Sequence, residues 1–508
     1  MKKFISMLFL ATVAGTGTLY AQYTQDALRF SQSNYGSSAR FKGLGSAQIG
    51  LGGDISSLGA NPAGLGMFTR SEFSITPEFN NSIADATYLG AQSKGTKNML
   101  NLNQVGVVWY NPVVKKRGAD LNKGALSVVW GLGYNRNNDF SANFNYSGVN
   151  PNNSIADYFS VIANGLTPEQ LRDGTSFESQ PYNNFLIDPV AGSASQYQPA
   201  TGLNNTQSVA ESRLGSTSEL NLSAAVNISN QLYLGASIGL VNVRYDMSRE
   251  FLESGKNIST DPENDQVGAD YLLSYRQNQS TDGSGVNGRL GLIFKPVNEV
   301  RIGATFQTPT WMHIQDNSSE VLDTRYTLGG NVNTFTNIPN NYPIEYNLRT
   351  PYKGSLGASV ILGGNALITA DVDYVDYSSI KFSTNSSYGN YDLMNAQNAD
   401  VKSRYTEAVN YRLGAEVKVS GVALRAGYGM NGTPYKNDPN DDFQMKYYSA
   451  GLGFRFSNYY LDLAYQRMET KGTSSVYSLL DANGSDAAPE ARFNIAKNNA
   501  YLTLGVRF

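Results

Sequence analysis

Groups able to do covalent chemistry are scarce in this sequence of 508 residues. It holds one histidine, His313, and no cysteine. Without a thiol there is no thiolate nucleophile, no disulfide, no thiolate metal site and no lipid-anchored N-terminus of the lipoprotein kind. A Ser–His pair would have a single base to draw on, and His313 is expected just past a strand end, in an extracellular loop, as a solvated side chain. Neither catalysis nor a cofactor is expected. What remains are arginines. Arg301, Arg412, Arg425 and Arg507 fall on the polar side of alternating strands. There a guanidinium fork can grip a carboxylate in a partly dry setting. That carboxylate is either a ligand's or one of the chain's own, at Asp371, Asp373, Glu416 or Asp462.

The elements that carry these residues have period 2. In GVALRAGYGM, Val422, Leu424, Ala426 and Tyr428 alternate with Ala423, Arg425, Gly427 and Gly429. YRLGAEVKV, RIGATFQ and the terminal YLTLGVRF repeat the pattern, which is that of strands with one apolar and one polar face. A soluble sandwich alternates too. Two features point to a transmembrane barrel instead: the polar face is rich in Gly and in charges of both signs, and tyrosines crowd the strand ends. Charged residues make up only 16% of the chain, and Lys+Arg 39 against Asp+Glu 42 gives no basic surface for nucleic acid. Strands are expected at 71–79, 103–112, 123–147, 216–229, 231–248, 284–296, 299–308, 349–362, 366–383, 405–419, 421–431, 444–457, 458–469 and 497–508. Fourteen is even, as single-chain bacterial barrels require. Tight turns at one end would face the periplasm. Long loops at 148–215, 249–283, 309–348, 384–404, 432–443 and 470–496 would face outward.

The N-terminus reads in two parts. Residues 1–21, MKKFISMLFLATVAGTGTLYA, have the basic start, apolar run and small-residue end of a cleavable signal peptide. Residues 22–70 hold RFKGLGSAQIGLGG and DISSLGANPAGLGMF. These are too apolar for a free linker and too broken by Gly and Pro for a helix or central strand. Ahead of a closed barrel (71–508), such a segment most simply goes inside it, as a hatch. In the first long loop, Ile155, Phe159 and Ile162 lie on one helical stripe with Tyr158. A second helix is expected to open at Thr167, with Pro168 first and Gln170 closing a capping box. The pair is either loop packing or a greasy lid. In the third strand, Gly131 and Gly133 precede Asn135, Asn137 and Asn138. Interior strand glycines mark a bend, or simply room for the hatch.

Five stretches, LGANPAGLGMF, KPVNEVRIGATFQTP, SLGASVILGGNALITADVDYVDYSSIKF, YRLGAEVKVSGVALRAGYGMNGTPY and YYSAGLGFRFSNYYLDLAYQRME, resemble the FadL/TodX family of outer-membrane transporters for long-chain fatty acids and other hydrophobic compounds. Asn61, Pro62 and Ala63 are the most specific match. The resemblance implies an all-β, 14-stranded antiparallel transmembrane barrel with an N-terminal hatch in its lumen; a monomer is expected. It also implies capture at the outer loops, hatch movement and lateral release into the membrane through a kink in the third strand, the strand whose own sequence offers Gly131 and Gly133 as candidates for the exit. A fatty-acid ligand would make Arg301, Arg412 and Arg425 its head-group candidates. A porin-like channel or an adhesin is the alternative.

Overall fold

The computed structural model describes residues 17–32, 34–118, 120–384, 390–480 and 485–508. Within them the alternation closes into a wall of fourteen antiparallel strands. These are β1 Glu72–Tyr88, β2 Ala91–Pro112, β3 Ala125–Asp139 continued by Ala142–Asn150, β4 Asn205–Ile228, β5 Leu232–Lys256 and β6 Asp270–Phe294. They go on as β7 Val300–Gln307 continued by Trp311–Leu328, β8 Asn340–Arg349 continued by Lys353–Leu362, and β9 Ala366–Asp376 continued by Lys381–Ser383. The last five are β10 Glu407–Val419, β11 Val422–Asn431, β12 Met445–Phe456, β13 Tyr459–Ser474 and β14 Ala491–Arg507. β1 pairs with β14 from Glu72↔Arg507 to Thr87↔Arg492, so the sheet keeps no edge.

Short turns gather at one end. Three of them place consecutive residues at positive φ: Ser229–Asn230, Gly363–Gly364 and Ser420–Gly421. That conformation matches the right-handed twist of a two-residue hairpin. The alternation is oriented as lipid demands. Leu424 of β11 points out and is exposed, while Arg425 beside it is buried. Outward leucines such as Leu290, 63% exposed, and Leu356, 60% exposed, form an apolar belt no watery surface would tolerate. Phe294, Phe456, Tyr459 and Phe508 rim the belt near the short turns. Trp311, Tyr352, Tyr374, Tyr411, Tyr448 and Tyr465 rim it toward the long loops. These are the two aromatic girdles of a transmembrane barrel.

Above the upper girdle the wall keeps rising. β5 and β6 each have 25 residues, far more than the 9–11 or so a bilayer needs. The expected loops 249–283 and 309–348 are therefore largely strand. His313 lies within β7, exposed, its Nδ1 3.3 Å from Asn347 Oδ1, and not in a loop. These extensions were hidden because above the lipid neither face needs to be apolar. SSEVLDTRYTL has no lipid-facing row to betray its period.

Inside the ring runs the chain from 34 to 68. It follows helix α1, Gly17–Ser31, and includes α2, Ala39–Gly43, and two 3-10 turns, Ile55–Leu58 and Pro62–Met67. The expected signal peptide falls outside the described residues over 1–16, and α1 runs through the expected cut before Gln22. The wall is shaped to this segment by its glycines. A Cβ on Gly303 would sit 2.1 Å from Ile49 O, one on Gly427 2.0 Å from Gly45 N, and one on Gly235 2.4 Å from Ala63 N. Only glycine lets two backbones approach so closely.

Candidate functional site

The wall is breached at β3. Its ladder with β2 ends at Gln104↔Asn135, and residues 91–102 of β2 pair with β1 alone. Beyond a register shift at Arg136/Asn138, the upper half of β3 leaves β2 and stays with β4 from Ala142↔Arg213 to Asn150↔Asn205. No backbone rung joins the two strands there; their backbones touch at Gly95 and Asn143, and side chains supply the hydrogen bonds, Ser93 Oγ donating to Asn145 O (2.8 Å) and Asn143 Nδ2 to Thr96 O (3.0 Å). The luminal segment fills the breach from within. Asn34 N donates to Asn137 O (2.8 Å), Gly36 N to Asn137 Oδ1 (3.3 Å), and Asn103 Nδ2 to Ser37 O. Backbone groups freed by the break are thus satisfied by the segment, as a breach facing lipid requires.

Behind the breach lies a narrow luminal chamber. Phe30 and Gln32 at the end of α1, Asn137 at the breach, and Val241, Met312 and Tyr377 of the wall line it. Its roof is apolar. One buried cluster joins Tyr23, Leu28 and Phe30 of α1 to Phe140 at the breach and to Tyr245, Ile314 and Phe382 of the wall. Its polar side carries two cations. Arg289 is forked onto Glu219, Nη1–Oε1 at 2.6 Å and Nη2–Oε2 at 2.8 Å. Lys353 makes no ion pair among the described residues; its Nζ sits 3.8 Å from the centre of the Tyr35 ring.

The arginines singled out from the sequence are engaged elsewhere. Arg412 is paired with Asp373 and donates to Tyr447 Oη (3.1 Å). Arg425 donates to Glu416 (2.6 Å) and Asp462 (2.7 Å). Arg507 pairs with Glu72 (2.8 Å). Arg301 holds the luminal segment, Nη1 donating to Leu51 O (2.7 Å). The wall's own carboxylates have claimed most of the guanidinium forks. Lys353 was not among the residues expected from the sequence; the signal that could have found it is its inward phase on β8, shared with Ser355 and Ser359, both buried.

Asn61, Pro62 and Ala63 stand against β5 and β6. Asn61 Oδ1 accepts from Ala63 N (3.1 Å) and opens the second 3-10 turn, while its Nδ2 donates to Ile49 O (2.7 Å) and Leu292 O (3.2 Å). One asparagine thus caps a turn, ties two stretches of the segment and pins both to the wall. Gly131 and Gly133 sit in unbroken ladder with both neighbours. A Cβ on either would meet Leu58, at 2.5 and 2.6 Å. They make room for the luminal segment, and the bend comes later, at 136–142.

Over the outer mouth the loop helices form a cap: α3 Ile155–Ala163, α4 Pro168–Asp173, α5 Ser179–Asn183 and, over the far side, α6 Tyr391–Arg404. The expected Thr167/Gln170 capping box and Pro168 at the first position are present. Ile155, Phe159 and Ile162 are buried in an apolar cluster with Tyr88, Phe251 and Tyr275. Phe159 meets Phe177 and Tyr275 edge-on, ring centres 5.9 and 6.0 Å apart.

No family model matches the sequence, and no curated protein does. Solved structures do. A Pseudomonas aeruginosa FadL homologue is similar over 93% of this chain and 98% of its own, at TM-score 0.54 and 12% identity. The fold is that of a FadL-type barrel. A deletion mutant described as the TodX monoaromatic hydrocarbon channel matches over 93% of this chain and 99% of its own, at TM-score 0.54 and 13% identity. The P. putida toluene transporter TodX is similar over 93% and 99%, at TM-score 0.50 and 14% identity.

Proposed function

We propose that this chain is a member of the FadL/TodX family, acting in the outer membrane as a passive transporter of hydrophobic compounds, long-chain fatty acids among them. The observation that carries the reading is the breach at β3, stopped from inside by residues 34–37 and backed by an apolar-roofed chamber. Ligand is captured at the apolar loop cap, passes into the lumen as the hatch, residues 22–70, shifts, and leaves sideways between β2 and β3. The energetics favour that route. An alkyl chain gains roughly 0.8 kcal/mol per methylene on leaving water, on the order of 10 kcal/mol for a long-chain fatty acid. Capture is easy and release into water prohibitive. Transfer from an apolar lumen to lipid is close to neutral, so a lateral door needs no energy source.

The similar TodX structures are those of a toluene transporter and a monoaromatic hydrocarbon channel, and the cap's aromatic edges suit such rings. Lys353, which has no ion-pair partner among the described residues, favours a ligand with a carboxylate, which gains a charge-assisted bond in a dry site. The test is binding by the purified protein of fatty acids of graded length, their methyl esters and toluene. Affinity should climb with chain length, and acids should bind tighter than esters. Rapid liposome swelling with sugars, with no chain-length dependence, would favour the porin reading instead.

A further inference from the structure

The barrel wall is defective in a second place, four strands round from β3. β7 is interrupted at 308–310 and β8 at 350–352, side by side: Gln307 pairs with Lys353 below the gap and Trp311 with Arg349 above it. Against β6, three residues of β7 face only Asn287 and Gly288. Both interruptions contain a proline, Pro309 and Pro351, which has no N–H to give a neighbour. Hydroxyls stand in for ladder carbonyls. Gly288 N donates to Thr308 Oγ1 (2.9 Å) and Thr310 N to Thr350 Oγ1 (2.8 Å). Only Thr308 N→Gly288 O (2.9 Å) and Thr350 N→Thr310 O (3.1 Å) remain as backbone rungs. Most of the wall is held by backbone rungs, but here it hangs on side chains that rotate.

What lies on either side makes the defect more than a bulge. On the inside, Gln307, Thr310, Thr350, Pro351 and Lys353 all line the luminal chamber. On the outside, two apolar grooves meet at Leu290 and Phe306, bordered by Leu356 and Val372 on one flank and Leu222 and Ile238 on the other. Arg289 lines both the chamber and the second groove, so a single strand separates them. The gap begins eight residues above the start of β7, roughly 20 Å up at ordinary rise and tilt, level with Trp311 and Tyr352 of the upper girdle.

We propose that this defect is a second lateral door, and that the grooves outside it receive the alkyl chain of an anionic single-chain amphiphile whose carboxylate rests on Lys353. The proposal rests on the transport reading above. Lys353 stands at the inner threshold with no carboxylate in ion-pair range among the described residues, at the depth where a head group of the outer leaflet belongs. The tail passes Phe306 into the grooves while the head stays on the ammonium. In the closed wall the Thr308 and Thr350 hydroxyls bond the Gly288 and Thr310 amides across the gap, so no N–H there faces lipid bare.

The absence of native cysteine makes the test clean. In phosphatidylcholine vesicles, transfer of a fluorescent long-chain fatty acid from the reconstituted protein to lipid is followed with the β3 breach locked by an oxidised Ser93→Cys/Asn145→Cys pair. The proposal expects residual transfer, falling about tenfold further when Thr310→Cys/Thr350→Cys is also oxidised, and returning to the level of the reduced double variant with reductant. Pro309→Ile with Pro351→Ile, which restores two donors, should slow the residual transfer without any cross-link. Lys353→Met should weaken the acid's binding and leave its methyl ester's unchanged. Residual transfer that neither the second lock nor the isoleucines reduce overturns the second door, as does complete arrest by the β3 lock alone. A native protein that binds no fatty acid would instead sink the transport reading itself.

Discussion

Arg425 shows how a luminal charge can be structural. Its fork spans Glu416 and Asp462, and all three are buried. Truncating one member of such a set leaves charges stranded, typically at about 3–5 kcal/mol. Arg425→Met should therefore lower barrel stability by about that much in denaturant titration, with fatty-acid affinity unchanged. A loss of affinity at full stability would return Arg425 to the ligand. Lys42 of α2 makes a pH prediction. Its Nζ donates to Asn34 O (3.0 Å) inside the lumen, and burial pulls its ammonium from 10.5 down to about 8, despite the opposing pull of Glu78. With the luminal segment displaced into water, Lys42 keeps its proton up to its ordinary value. Between pH 8 and 10.5 the displaced form binds the extra proton, so docking strengthens as pH rises, by about 3 kcal/mol over the window, and is flat below it. Channel conductance should fall across that window in the native protein, and Lys42→Met should abolish the dependence.

At the scale of elements, Leu58 and β3 form a lock that can be picked. Gly131→Val forces a side chain onto Leu58 and should expel the first 3-10 turn, raising single-channel conductance. Leu58→Ala in the same chain should restore the closed state. An unchanged conductance in Gly131→Val would mean the segment yields without leaving. The fourteen strands were legible wherever lipid enforces period 2. RIGATFQ and YLTLGVRF declare themselves because a single slip would put Arg301 or Arg507 into hydrocarbon. The upper halves of β5 to β8 were illegible, since Ser, Asn, Gln and Thr suit water on both faces. The bend was sought at Gly131 and Gly133, where small residues suggested it. It lies at 136–142, where a run of Asn and Asp can satisfy broken rungs. In the lumen, residue type identified the arginines, but only geometry distinguishes an arginine with a wall partner from Lys353 without one.

For the whole molecule, the interior segment and the wall form one solid. Asp371 of β9 accepts from both Gln48 N (2.6 Å) and Ile49 N (2.9 Å), and Thr503 of β14 accepts from Ala39 N (2.7 Å), so the segment is tied to opposite parts of the ring. Deleting residues 40–68 should leave a barrel that refolds, because β1–β14 closure does not pass through the segment. It should pass sugars freely in liposome swelling. A deletion that stays impermeable would mean the loop cap alone seals the mouth.

The height of the strands has a consequence for how fast anything arrives. β5, with its 25 residues, climbs roughly 60 Å at ordinary rise and tilt, and the hydrocarbon slab accounts for about 25 Å of that. The rim of the vessel therefore stands tens of ångströms clear of the membrane surface. At physiological salt the surface's negative field dies away in about 8 Å. A carboxylate drifting in from the medium meets the rim where that repulsion has already vanished. Capture of a fatty-acid anion should then proceed at the same rate in vesicles of neutral and of anionic lipid, and stopped-flow association at moderate salt would reveal any dependence on lipid charge that contradicts it.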